Sequence, residues 1–235
     1  MFSHAFAAGA LLGTAISPLV CVSAAERSPV AAAEDVVARV TPSAKGAVLF
    51  HLNPDQGNKI TISGIAGGIR VEASDVRRLV AGYGWYLKNI AKVHFSWNGN
   101  RITLPSPLPV PASPVTVESP WNIVFAYNYC TLSYTAAFWD WNRWQREIDF
   151  LALNGFTHAL VTAGLEKTWE DFLTGLGYPR EKALRFIPNP AFAAWWNMGN
   201  LEGHGGPLSQ QQINKMAQMG RRIVSRMEQL GMTPV

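Results

Sequence analysis

The stretch "FWDWNRWQREIDFLALNGFTHALVTAG", residues 138–164, decides the fold. Three tryptophans and a phenylalanine crowd its first seven residues, and a charged, helically spaced run follows. Asp140 suits an N-cap and Asn154-Gly155 a helix stop, after which "THALVTAG" reads as a strand. Trp141, Trp144, Ile148 and Leu151 fall on one stripe that would bury against a sheet, so most of the aromatic cluster reads as core. Arg143 and Glu147 are spaced for an i,i+4 pair, expected on the solvent side.

The same rhythm continues on either side. "NIVFAYNYC" reads as a strand, "LEKTWEDFLTGLG" as a helix closed by glycine, "LSQQQINKMAQMGRRIVSRMEQLG" as a further helix, and "MTPV" as the start of another strand. Strand–helix–strand–helix–helix–strand argues for parallel β/α units with right-handed crossovers. Three strands cannot close a barrel.

Ahead of these units the pattern differs. Residues 29–44 look helical, and "GAVLFHLNP" and "KITISGIAGGIRVEAS" alternate like strands around Gly-rich turns. "SDVRRLVAGYGWYLKNIA" opens with a Ser/Asp start signal and carries Val76, Leu79, Val80, Tyr83, Tyr86 and Leu87 at helical spacing. "KVHFSW", "NGN" and "RITLP" read as a hairpin. Residues 29–104 are therefore expected to form an α+β N-terminal domain, and the Pro-rich residues 105–120 a semi-rigid linker before the β/α units of 121–235.

Charged residues make up only 15% of the 235, and there are nine tryptophans, the composition of a globular chain with aromatic clefts. The formal charge of +4 is scattered, with no basic stripe of the kind that nucleic acid requires. Residues 1–24 read as a signal peptide cleaved after Ala24, or else as a buried N-terminal helix, and no later run is long enough to span a bilayer. Cleavage would remove Cys21 and leave Cys130 as the only thiol, with no internal disulfide; nothing has metal-ligand spacing, and no cofactor is implied.

Parallel β/α folds place ligands at strand C-termini. There the chain offers Asn128, Cys130, Thr131 and Ser133 after one strand, Glu166 after the next, and the long connection "NPAFAAWWNMGNLEGHGGPLS". Amides, a thiol, a carboxylate and indole faces suit a sugar, whose hydroxyls need hydrogen bonds and whose C–H faces stack on Trp. Other readings stand beside this one. Cys130 could be a small buried hydrophobe. Only one of Trp195 and Trp196 can face a cleft. Glu166 could bind hydroxyls or cap the next helix, and His204 sits in a Gly-rich loop as a surface residue.

"NYCTLSYTAAFWDWNRWQREIDFLALNGF", "PAFAAWWNMGNLEGHGGPLS" and "LGMTPV" closely resemble the α-N-acetylglucosaminidases of glycoside hydrolase family 89. The resemblance is strong over 121–235 and looser over 30–105. It implies an α+β N-terminal domain followed by an incomplete (β/α)8 TIM-barrel catalytic domain. It also implies a secreted or periplasmic enzyme, lysosomal in a eukaryote, that removes terminal α-linked N-acetylglucosamine from glycans with retention. By position it implies that Asn128 and Cys130 contact the sugar, that Trp195 walls the same subsite, and that Met198 adjoins it. "HGGPLS" departs from the family's usual aromatic-containing loop.

Retaining hydrolysis needs two carboxylates about 5–5.5 Å apart. The resemblance places both beyond Val235, so no catalytic residue is assigned and the chain alone is expected to be inactive. Its open sheet is expected to make residues past the linker aggregate or stay molten while 30–105 fold. The alternative is a non-catalytic N-acetylglucosamine-binding or decoy protein.

Overall fold

The computed structural model describes residues 28–99, 102–202 and 206–235. The signal-peptide reading of 1–24 with Cys21, the turn residues Asn100 and Arg101, and His204 lie outside the described residues.

Alternating apolar residues build the first sheet. Strands β1 (Val48–Leu52), β2 (Lys59–Ile65) and β3 (Gly68–Ala73) bury Phe50, Ile60, Ile62, Ile69 and Val71, beneath helix α1 (Ala31–Val40) and helix α2 (Val76–Asn89). The α2 start is set by Asp75, whose side chain accepts from the Arg78 amide at 2.8 Å. Its periodic Leu79, Val80, Tyr83, Tyr86 and Leu87 are buried, as the spacing predicts. The sheet order is β1-β3-β2-β4, with β1 and β3 parallel and the other pairs antiparallel.

Strand β4 is Val115–Glu118, inside the stretch read as a linker. It pairs Ile60 with Val117 along the sheet edge. "VTVE" itself has no proline, and an edge strand needs a ladder on one side only. Upstream, Pro109 is tied down by Tyr86, whose hydroxyl donates to its carbonyl at 2.9 Å. The segment is therefore laid along the domain rather than slung between domains.

The hairpin expected around "NGN" also differs: the described residues of 92–105 carry no strand. A helix of the second region supplies its partners instead. Arg146 donates to the carbonyls of Ser96 and Gly99 (2.8 and 2.6 Å), and Trp97 Nε1 donates to Glu147 at 2.6 Å.

In the second region β5 (Phe125–Ala126), β6 (His158–Ala159) and β7 (Thr233–Pro234) form a parallel sheet in that order. Helix α3 (Tyr129–Thr131), a π-helical turn (Leu132–Ala136) and helix α4 (Trp141–Leu153) follow β5. Helices α5 (Leu165–Gly175), α6 (Arg180–Phe186), α7 (Ala193–Asn197) and α8 (Gln210–Gln229) lie between β6 and β7. The strands are shorter than the apolar runs: the first ends at Ala126, and Asn128–Cys130 already belong to the helical turn. The long connection contains α7, which its Gly- and Pro-rich sequence concealed, and α6 lies just ahead of it.

Ala126 and Ala159 are buried, whereas Phe125 on the alternate face is 48% exposed. One face is thus helix-covered and the other bare. No closed barrel forms among the described residues.

One apolar cluster runs from Ala33 and Val36 through Tyr83 and Leu87 to Ile148, Leu151, Met227 and Leu230. Helix α2 is its centre. A Cβ on Gly82 would come within 2.5 Å of Ile60 on the sheet side, and one on Gly84 within 1.8 Å of the Leu153 carbonyl of α4. Across the same boundary Arg39 grips buried Asp149 through two bonds of 2.7 and 2.8 Å, and Arg226 of α8 approaches the same carboxylate at 3.5 Å. Residues 30–105 share this core with the β/α region.

Candidate functional site

The rim begins where β5 ends. Tyr127 takes a positive φ of 77°, a turn that bulky residues rarely adopt. The chain then enters α3, whose start is fixed by Asn128: its Oδ1 accepts from the amides of Cys130 and Thr131 at 3.0 and 3.1 Å. Thr131 Oγ1 accepts from the Asn128 amide in return, completing a capping box. Asn128 is exposed and Cys130 half-buried, so neither is simply core.

Buried Ser133 joins this turn to the distant connection. Its hydroxyl donates to the Pro190 carbonyl at 2.9 Å and accepts from the Ala194 amide at 3.0 Å. That clasp seats α7 beside α3 and resolves the tryptophan pair. Trp195 meets exposed Tyr134 edge-on at 4.7 Å, while Trp196 turns inward onto Trp169 (4.7 Å) and Phe186 (5.2 Å). Met198, at the end of α7, is 42% exposed. Asn128, Cys130 and Trp195 therefore stand on two neighbouring helical turns, with Met198 just beyond.

Glu166 is not part of that group. It is 4% exposed and lines a mainly apolar cavity of ≈ 350 Å³ together with Trp139, Trp144, Asn189, Lys215 and Met216. Burial pushes its carboxyl up to about 7, against the pull of the Glu166 and Gly164 amides. Among the described residues, Oε2 has no hydrogen-bond partner. The N-cap of α5 is Gly164, and no side-chain bond caps the helix there.

Two residues sit otherwise than their spacing predicts. Glu147, expected at the solvent face, is 1% exposed. It accepts from Tyr127 Oη (2.6 Å), Trp97 Nε1 (2.6 Å) and Arg143 (2.8 Å), and Arg143 in turn stacks on Trp139 with its guanidinium 3.9 Å from the ring centre. Burial, and then the Glu147 carboxylate, hold the Tyr127 hydroxyl far above its ordinary range, so it stays a donor. A signal was present, since position 147 lies three residues from Trp144 and four from Leu151 on the apolar stripe. Trp141, placed on that stripe, is only half-buried and lies under the Arg222 guanidinium at 3.8 Å.

An α+β domain joined to a three-stranded parallel β/α sheet, with a polar and aromatic rim at the strand C-termini, defines a protein of the mixed α/β class. Two family models match the chain: the alpha-N-acetylglucosaminidase tim-barrel domain over residues 124–235 and the N-terminal domain of the same family over 31–110. Human alpha-N-acetylglucosaminidase is 38% identical over 172 residues, which is 73% of this chain and 23% of that protein.

Among solved structures, a doubly substituted family 89 enzyme from Clostridium perfringens, in complex with its substrate GlcNAc-alpha-1,4-galactose, superposes with a TM-score of 0.84 at 29% identity. The match covers 88% of this chain and 24% of that one. The family 89 glycoside hydrolase of the same organism in complex with PUGNAc gives 0.83 at 30% identity over the same shares. The chain belongs to the alpha-N-acetylglucosaminidase family, glycoside hydrolase family 89. It spans about a quarter of the length of these relatives.

Proposed function

We propose that the chain is the N-terminal portion of an exo-acting, retaining α-N-acetylglucosaminidase. In this reading it carries the α+β domain and the first units of an incomplete (β/α)8 barrel. The substrate is a glycan ending in α-linked N-acetylglucosamine, met outside the cytoplasm after export on residues 1–24. The observation that carries the reading is the superposition over 88% of the chain on a family 89 enzyme holding GlcNAc-alpha-1,4-galactose.

In this reading the rim contributes binding rather than bond breaking. Asn128 and Cys130 face the terminal sugar, Trp195 presents an indole wall to its C–H face, and Met198 closes the side. Glu166 belongs behind the rim.

The available carboxylates support a division of labour with other parts of the barrel. Glu147, Asp149 and Glu170 are each held by basic side chains. Among the described residues, Glu166 has no second carboxylate in either cavity it lines. In this reading a retaining pair about 5–5.5 Å apart is completed by residues from outside these 235.

Incubation of the purified chain with an aryl α-N-acetylglucosaminide tests this. No release of the aryl group above buffer is expected; measurable turnover by the chain alone would refute the division. Tight N-acetylglucosamine binding by the isolated chain, weakened by Trp195→Ala, would favour a sugar-binding decoy instead.

A further inference from the structure

Tyr127 is the residue immediately before the rim, and its backbone is in a region that costs a bulky side chain free energy. Such a conformation persists only where the surroundings over-determine it. Here its hydroxyl donates to Glu147 at 2.6 Å, and Glu147 sits on the middle of α4, where Arg143 also binds it. The third donor, Trp97, belongs to the N-terminal domain. One buried carboxylate thus joins three segments, fifty residues apart at the widest. Below them Tyr127, Asn128 and Thr131 pack against Trp139 and Trp144 around a cavity of only ≈ 10 Å³, which leaves little room for a second conformation.

We propose that Glu147 is a positioning residue for the rim, holding Tyr127 in its left-handed turn so that Asn128 and Cys130 are presented correctly. Through Trp97 it makes that geometry depend on the N-terminal domain. The claim rests on the sugar-binding reading of the rim for its purpose, but not for its physics. Glu147 touches no substrate in this account and acts only through Tyr127. The arrangement gives the appended domain a role in the site without contributing a residue to it.

The test reads the alkylation rate of Cys130 by iodoacetamide, followed on its own peptide by mass spectrometry in the full chain. Trp97→Phe and Tyr127→Phe each remove one bond to Glu147 and leave the apolar contacts in place. Both are expected to speed Cys130 labelling about fivefold, because the turn then opens more often. Glycine tolerates a positive φ without being held. In a Tyr127→Gly background, Trp97→Phe is therefore expected to leave the rate unchanged.

Unchanged labelling in both single variants would overturn the proposal. So would a rate increase by Trp97→Phe that is equal with and without the Tyr127→Gly substitution, since that marks general loosening. Glu147→Gln is expected to exceed either single variant; if it fails to fold, the two milder variants still decide. No sugar enters this readout, so its result stands apart from the turnover test of the enzyme reading.

Discussion

The two regions solve the same problem to different degrees. The N-terminal sheet has four strands of four to seven residues, buries Ile62, Ile69 and Val71 completely, and is sealed by α1 and α2. The β/α sheet has three two-residue strands and leaves Phe125 bare on one face. A finished sheet next to an unfinished one would ordinarily suggest a stable domain followed by a weak one. The continuous core argues otherwise: α4 packs directly on α2 and α8 packs on α4, so the rim rests on helices braced from the N-terminal side. The difference teaches that the small domain is a foundation for the site rather than an appendage.

The comparison can be broken at its joints. Asp149→Ala removes the buried carboxylate that Arg39 and Arg226 share, and should cost about 4 kcal/mol in urea unfolding, with both regions lost together. Gly84→Ala would drive a Cβ into the Leu153 carbonyl and should cost about 3 kcal/mol on the same measurement, whereas a self-sufficient N-terminal domain would barely respond.

Glu166 sharpens the picture through pH. Its carboxyl stays protonated in the folded chain to about 7 but titrates from an ordinary value of 4.5 once unfolded. Between these values the folded state binds more protons at this group, so the stability that Glu166 contributes is fully present below 4.5, falls as pH rises towards 7, and is lost above it. The fall is at most roughly 3 kcal/mol, and Glu166→Gln should flatten it in melts taken across that range. The smallest effect is local: Ser133→Ala removes the clasp between α3 and α7 and should cost about 1–2 kcal/mol, with Trp195 fluorescence shifting more than overall helicity.

Much of this was legible. Helices α2 and α4 announced themselves by Asp75 and Asp140 at their starts and by apolar stripes behind them, and both side chains do cap their helices. In the β/α region strand positions were legible but their lengths were not, because a two-residue ladder is set by its neighbours rather than by its own apolar run. The "NGN" segment misled because its acceptors are taken by Arg146, 47 and 50 residues away. Within the rim, Asn128, Cys130 and Trp195 were legible as candidates at a strand end and in the long connection, and their sugar-contact roles entered through family resemblance. The Tyr127–Glu147–Trp97 network could not have been found from local spacing, except for the position of Glu147 on its own stripe.

Native-state hydrogen exchange under increasing urea tests the central claim, that the rim belongs to the same folding unit as the N-terminal domain. The account predicts that amides of α2, α4 and α8 converge on one opening free energy with one urea dependence. If α2 and the four-stranded sheet stay protected while α4 and α8 exchange at low urea, the foundation and the site are separate units and the account is wrong.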